Sequence, residues 1–275
     1  MKIHILGYGP ITEALFIELS KSNDVDIYSD LSSHSSRLVT KSYEDFLGLE
    51  LKHNDIFVLA WRELPIPGDL KYLVLKRLEK VSTPQNLLVY LSSVAVYGQN
   101  YNTCFETTSL SPINRYGKSK LDLEDFLGRF SNANLRILRI SNVFGHKDFD
   151  DVLNRTIKAA IDGRSIELID PSLIYRDFIS IENVVKGVIS VVSEHIGNSI
   201  CEIYNVSSGH SISLLDLINI IEDNLGKNVE VIKLEQSSQI IVRSLISNRK
   251  FLNLVKSKNQ NDHTLLESYV RSFVS

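Results

Sequence analysis

The sequence predicts an α/β protein: a doubly wound, Rossmann-like parallel sheet with a smaller C-terminal α+β region. Three observations predict it. Short apolar, β-branched runs alternate with stretches of helical periodicity through the first 145 residues. Runs such as 55–60 and 87–91 are nearly continuous in apolar residues, as strands covered on both faces must be. A glycine-rich turn separates the first run from the first helical stretch.

Each element has its own signal. Ile3–Leu6 reads as the first strand, and Gly7-Tyr8-Gly9-Pro10 follows at once. Ile11, Ala14, Leu15 and Leu19 then recur at helical spacing. Val25–Tyr28, Asp55–Ala60 and Leu87–Leu91 read as further strands. Leu135–Ile140 is another, with Arg136 and Arg139 as polar interruptions. Ser32–Ser36 is a surface loop by composition. Beyond residue 145 the pattern loosens. Asp151–Gly163 reads as a helix with a glycine stop, Ser165–Ile169 as a strand and Ile181–Val192 as a helix. Tyr204–Val206 is a short strand, and Ser213–Leu225 is a helix closed by Gly226. Ser244–Ser275 reads as terminal helices with a polar connection.

Composition bounds the function. The 275 residues are 43% hydrophobic and 23% charged, which excludes a wholly disordered chain. That length suits one large α/β unit or two small domains. The expected division is a dinucleotide-binding unit over 1–145, with roughly 176–208 returning to it, and a substrate-binding region over 146–175 and 209–275. Thirty Lys+Arg against 33 Asp+Glu give a net charge of -3, so nucleic acid is not expected as the main partner. No apolar run approaches the roughly 18 residues that cross a bilayer. Gly7, Gly9, Pro10 and Glu13 interrupt any signal-peptide core. A cytoplasmic protein away from membranes is expected. Cys104 and Cys201 form neither a CxxC motif nor a disulfide framework. The seven histidines lack metal-ligand spacing, so no metal site is expected.

The first turn carries a nucleotide signal. Gly7-Tyr8-Gly9-Pro10-Ile11-Thr12 matches G-x-G-x-x-G except at its last position. The first glycine permits the tight turn, and the second lets backbone approach a pyrophosphate. The helix start offers N–H donors and the positive end of its dipole. Gly7, Gly9, Pro10 and Ile11 are therefore candidate cofactor residues. The acidic residue for an adenosine ribose is expected at the end of the second strand. Asp30 is the candidate, with Ser29 beside it, and the register decides between them. With Ser29 in that place, repulsion of a 2′-phosphate weakens and Arg37 can help accept one. NAD and NADP both stay open.

Tyr116-Gly117-Lys118-Ser119-Lys120 contains Y-x-x-x-K, whose two ends share one helix face. A phenol is a poor base at neutral pH, and a neighbouring ammonium favours the phenolate. The same lysine can hold a cofactor ribose. A serine facing the tyrosine orients the substrate oxygen, and such a trio passes a proton while hydride moves to or from a nicotinamide. Ser92 and Ser93 end a predicted central strand about 20 residues earlier, where ligands bind in open α/β sheets.

Ser-Ser-Val-Ala-Val-Tyr-Gly (92–98) followed by Arg-Tyr-Gly-Lys-Ser-Lys (115–120) resembles the extended short-chain dehydrogenase/reductase family, in particular its NAD-dependent epimerase/dehydratase group. Leu138–Gly145, Tyr175–Asn183 and Tyr204–Gly209 resemble further segments of that group, in the expected order. The resemblance implies an enzyme acting on a nucleotide sugar. It implies that Ser93, Tyr116 and Lys120 are catalytic, and that Ala60, Ser92, Tyr116 and Lys120 contact the cofactor. It places Ser93, Val94, Asn142 and Arg176 at the substrate, the last two on its diphosphate. An alternative for Arg176 is a structural pair with Asp177. Lys118–Leu127 resembles the group's dimer helix, and its Leu121, Leu123, Phe126 and Leu127 suit a homodimer.

Departures from the group narrow the reaction. Val94 and Ala95 stand where its dehydratases carry an acid and a base, which disfavours 4,6-dehydration. The chain is shorter than typical members, the first turn has a reduced glycine pattern, and Pro65–Lys80 shows no recognisable counterpart of the usual asparagine. These differences count against a permanently retained NAD. They favour a ketoreductase of a nucleotide-linked 4-keto-6-deoxy sugar, with a 4-epimerase holding tightly bound NAD as the alternative. Reduction of a non-nucleotide carbonyl leaves Asn142 and Arg176 without a role. A non-catalytic NAD(P)-binding module is the alternative of another class, and retention of both Tyr116 and Lys120 counts against it.

Overall fold

The computed structural model describes residues 2–30, 38–63, 65, 67–130, 132–194, 200–235, 241–256 and 261–274. Arg37 and the Ser32–Ser36 loop lie outside the described residues. In chain order the first elements are β1 (Lys2–Leu6), α1 (Pro10–Leu19), β2 (Asp24–Tyr28), α2 (Tyr43–Gly48), β3 (Ile56–Leu59), α3 (Leu70–Val81) and β4 (Leu87–Ser93). A short 3-10 turn over Val94–Tyr97 leads to α4 (Arg115–Leu127), β5 (Asn134–Ile140), β6 (Asn142–Phe144) and α5 (Val152–Asp162). Then follow β7 (Ile166–Ile169), β8 (Tyr175–Ser180), α6 (Ile181–Ser193), β9 (Cys201–Val206) and β10 (Ser211–Ser213). The chain continues through α7 (Leu214–Leu225), β11 (Val231–Leu234), α8 (Arg249–Leu254) and α9 (Asp262–Arg271).

The large sheet has the order β2-β1-β3-β4-β5-β9, every pair parallel. Strand residues alternate between two cores because side chains point to opposite faces. Ile3, Ile5, Val58, Val89 and Leu138 pack with Leu15, Leu19, Val184, Val188 and Phe251 on the face of α1, α6 and α8. Leu6, Leu59, Tyr90, Leu135 and Ile137 pack with Phe46, Val74, Leu75, Leu123 and Leu127 on the face of α2, α3 and α4. The parallel, doubly wound sheet expected from the apolar runs is present. Tyr43–Gly48 and Leu70–Val81 add helices that the strand pattern did not announce.

The smaller region holds the sheet β10-β8-β6, the pair β11-β7, and a third core between α5, α7 and α9. Of residues 176–208, β9 joins the large sheet and α6 packs against α1, whereas β8 pairs with β6 and β10. Leu123 and Leu127 of α4 are buried inside the subunit, Phe126 packs partly on the same core, and Leu121 packs beside Val96 and Tyr97.

Two close approaches position the site. The chain leaves β1 for β2 on one side and returns to β3 on the other, so the topological switch point lies between β1 and β3. There Gly7 adopts φ +115°, and a Cβ on it would meet the Ala60 carbonyl oxygen at 3.2 Å. Gly117 lets α4 approach the 3-10 turn, since a Cβ there would stand 2.5 Å from the Ala95 carbonyl oxygen. Gly117→Ala is expected to lower stability by about 2 kcal/mol through this overpacking, and to displace Tyr116. Urea unfolding checks it; an unchanged midpoint would refute the close-approach argument.

Candidate active site

Ser93 ends β4, and its Oγ accepts the Ala95 backbone N–H at 3.2 Å as the 3-10 turn begins. The Asn114 Oδ1 accepts the Gly117 N–H at 2.8 Å and so caps α4, which presents Tyr116 in its first turn and Lys120 one turn on. Tyr116 is 40% exposed, whereas Lys120 is buried. The Lys120 Nζ donates to the carbonyls of Trp61 at 2.8 Å and Leu91 at 2.7 Å. It lies 5.8 Å from the Tyr116 ring centroid. Sequence spacing placed the lysine beside the tyrosine; only the fold brings the ends of β3 and β4 to the ammonium.

Burial raises the proton affinity of Tyr116, while the nearby Ser93 hydroxyl and then the Arg62 charge lower it. Lys120 is pushed down to about 7, chiefly by burial and then by Arg62, with Glu124 opposing. An unfolded lysine keeps its proton to far higher pH, so unfolding takes up a proton between these limits. Stability of the wild type relative to Lys120→Met should therefore rise with pH above about 7, by at most about 1.4 kcal/mol per pH unit. Urea unfolding of both proteins along a neutral-to-alkaline series measures it, and a flat difference would contradict a depressed Lys120.

Two cavities meet at Ser93 and Tyr116. One, of about 490 Å³, runs from the head of α1 and is lined by Gly9, Pro10, Ile11, Ala60, Ser92 and Lys120 among others. The second, of about 520 Å³, lies towards β8 and includes Val94, Asn142 and Arg176. Ser93 and Tyr116 line both. The first cavity fits a dinucleotide. A Cβ on Gly9 would meet nothing within 4 Å, so the backbone is open to an approaching phosphate. The leading N–H groups of α1 have no intrahelical partner, although Pro10 at its start contributes none. Thr12, in place of the third motif glycine, is buried and donates its hydroxyl to the Gly9 carbonyl at 2.9 Å.

Other residues singled out in the sequence are placed differently. Gly7 lines neither cavity and acts through the turn itself. Asp30 lies two residues beyond β2 and pairs with Lys71 on α3 at 2.7 Å. Ser29 is buried just before it. The Ser92 hydroxyl is bonded to the buried Glu124 carboxylate. Arg176 and Asp177 do not pair, because neighbouring strand residues face opposite ways. Asp177 accepts from the Ser141 hydroxyl at 2.7 Å and from the N–H groups of Ser208 and Gly209, both at 2.9 Å. Burial nevertheless pushes it up to about 6. Arg176 donates to the Tyr175 carbonyl and is pushed down to about 10 by burial. Asn142 donates to the Asp177 carbonyl at 3.0 Å.

The sequence reading missed Arg62, which follows β3, and Phe149, Asp150 and Asp151, which precede α5 and enter the second cavity. For Arg62, its position directly after the recognised strand 55–60 was the available signal. Among the described residues no group of His, Cys, Asp and Glu is arranged to hold a metal. No described helix is long and apolar enough to cross a membrane. Cys104 and Cys201 are both free.

The sequence model of the NAD dependent epimerase/dehydratase family matches residues 71–207, which hold Ser93, Tyr116, Lys120, Asn142 and Arg176. Residues 71–207 carry this family's domain. Over 143 residues it is 30% identical to the uncharacterized UDP-glucose epimerase YtcB of Bacillus subtilis (strain 168), covering 50% of this chain and 45% of that protein. Over 147 residues it is 26% identical to the N-acetyl-alpha-D-glucosaminyl-diphospho-ditrans,octacis-undecaprenol 4-epimerase of Escherichia coli O157:H7, covering 52% and 43%. These matches thus span under half the length of either relative. Among solved structures, the UDP-glucuronic acid 4-epimerase of Bacillus cereus with UDP-glucuronic acid and NAD superposes with a TM-score of 0.81 at 18% identity, covering 99% of this chain and 100% of that one. That likeness establishes the fold, in agreement with the Rossmann-like expectation.

Proposed function

We propose that this chain is a nucleotide-sugar 4-epimerase that keeps a nicotinamide dinucleotide bound through turnover. The observation that carries the reading is the seating of Ser93 and Tyr116 where the two cavities meet, with Lys120 in the first cavity and only apolar Val94 and Ala95 directly after Ser93. The positions after Ser93 supply no acid or base for eliminating water. The reduced first turn favours a ketoreductase that exchanges its cofactor, whereas the two relatives described above carry epimerase names and support the recycling reading.

In this reading Gly9, Ile11 and Ala60 would hold the dinucleotide, with Asp30 taking its adenosine ribose and Lys120 a ribose. When bound, it would supply a reversible hydride acceptor for the sugar carbon. The Tyr116 oxygen takes the proton of the C4 hydroxyl on oxidation and gives it back on reduction, while Ser93 holds that oxygen in place. Arg176 grips the substrate diphosphate, and Asn142 adds its remaining amide N–H. A homodimer through α4 belongs to the same reading.

Purified protein given UDP-glucose and no added cofactor should form the C4 epimer, followed by NMR, and should release roughly stoichiometric NAD on denaturation. Turnover of a 4-keto sugar only with added NADH or NADPH would favour the ketoreductase. Failure to bind either dinucleotide would remove the catalytic reading.

A further inference from the structure

We infer that Arg62 is a positioning residue for Tyr116: its guanidinium caps one face of the phenol ring and supplies a permanent positive charge that favours the phenolate. The inference rests on the reading of Tyr116 as the acid/base. Its starting point is the loop after β3. Trp61 is buried, donates its indole N–H to the Tyr43 hydroxyl at 2.7 Å, and gives its carbonyl to Lys120 at 2.8 Å. The backbone at residue 61 is thereby pinned to the catalytic helix. The next side chain, Arg62, places its guanidinium carbon 5.6 Å from the Tyr116 ring centroid and lines the α1-side cavity beside Lys120.

The charges around the ring define its role. Ser93 at the end of β4 contributes a hydroxyl and no charge. Lys120 on α4 is buried and spends two of its three N–H donors on backbone carbonyls. Burial also costs its charged form, so its proton is easily lost. Glu124, one turn further along α4, is committed to Arg139 on β5. Arg115 pairs loosely with Glu63 at 3.7 Å. From the far wall Asp150 and Asp151, before and at the cap of α5, face the cavity with Arg176 of β8. Among the described residues no carboxylate lies within ion-pair distance of Arg62. A guanidinium stays charged throughout the working pH range. Its attraction for the ring grows as the oxyanion's charge spreads into the π system, so it favours ionisation.

The test labels tyrosine with ¹³C at Cζ and follows the resonance that disappears in Tyr116→Phe through a pH titration, in wild type, Arg62→Gln and Arg62→Lys. Arg62 is exposed, so both variants are expected to fold, and circular dichroism checks this. The midpoint should rise by roughly half to one pH unit in Arg62→Gln and return most of the way in Arg62→Lys. The rising limb of a kcat/KM profile, where turnover is measured, should move by the same shift. An unchanged midpoint in Arg62→Gln, or no recovery in Arg62→Lys, overturns the inference. The titration needs no substrate, so failure of the epimerase assay leaves this result independent.

Discussion

Tyr116→Phe should reduce kcat by about 10²–10⁴-fold while leaving dinucleotide binding nearly intact. The phenol oxygen is the only part of the side chain removed. The ring keeps its place over Arg62 and Lys120, at 5.6 and 5.8 Å respectively. Loss of the oxygen removes proton transfer at the sugar hydroxyl, while Gly9, Ile11, Ala60 and Lys120 remain to hold the cofactor. Single-turnover kinetics with a dinucleotide titration separates the two effects. A kcat within a few-fold of wild type would show that another group moves the proton. Equal loss of dinucleotide affinity and turnover would instead mark Tyr116 as part of the cofactor's support.

The largest stability effect is expected beneath the site. Glu124 and Arg139 are almost wholly buried, with the Arg139 Nη2 2.8 Å from the Glu124 Oε2. The Arg139 Nε adds contacts of 3.2 Å to both carboxylate oxygens. The Arg139 Nη1 donates to the Tyr97 hydroxyl at 3.1 Å, which donates to the Asn205 Oδ1 at 2.6 Å. Ser92 completes the carboxylate's partners. Glu124→Ala leaves a buried guanidinium without a counter-charge and should cost about 3–5 kcal/mol. Replacing both members together, as Glu124→Leu with Arg139→Met, should recover much of that loss, because no unpaired charge then remains. Denaturant unfolding of the single and double variants decides it. A single-variant cost below about 1 kcal/mol would mean that water or a rearranged neighbour reaches Arg139.

This network also explains the two arginines that interrupt an otherwise apolar strand in sequence. Arg139 shares a face with Leu135 and Ile137, towards α4, and finds Glu124 there. Arg136 points the other way and meets Glu202 at 3.2 Å on β9. Periodicity assigns each residue a face but cannot name its partner, because β5, α4 and β9 are far apart along the chain.

By itself, the sequence determined the sheet and the spacing of Tyr116 and Lys120. Apolar runs 55–60 and 87–91 require burial on both faces, and a turn with Gly7 at its head admits the backbone that links β1 to α1. Tyr116 and Lys120 are one helical turn apart whatever the rest of the chain does. What only the tertiary structure decided is which carbonyls receive Lys120, that the Ser92 hydroxyl turns to Glu124 while Ser93 lines both cavities, that Asp30 meets Lys71, and that Arg62 caps Tyr116. Those contacts join separate strand ends and helices, and their identity follows from strand order and helix approach. A single sequence encodes that order only through the summed packing of the whole core.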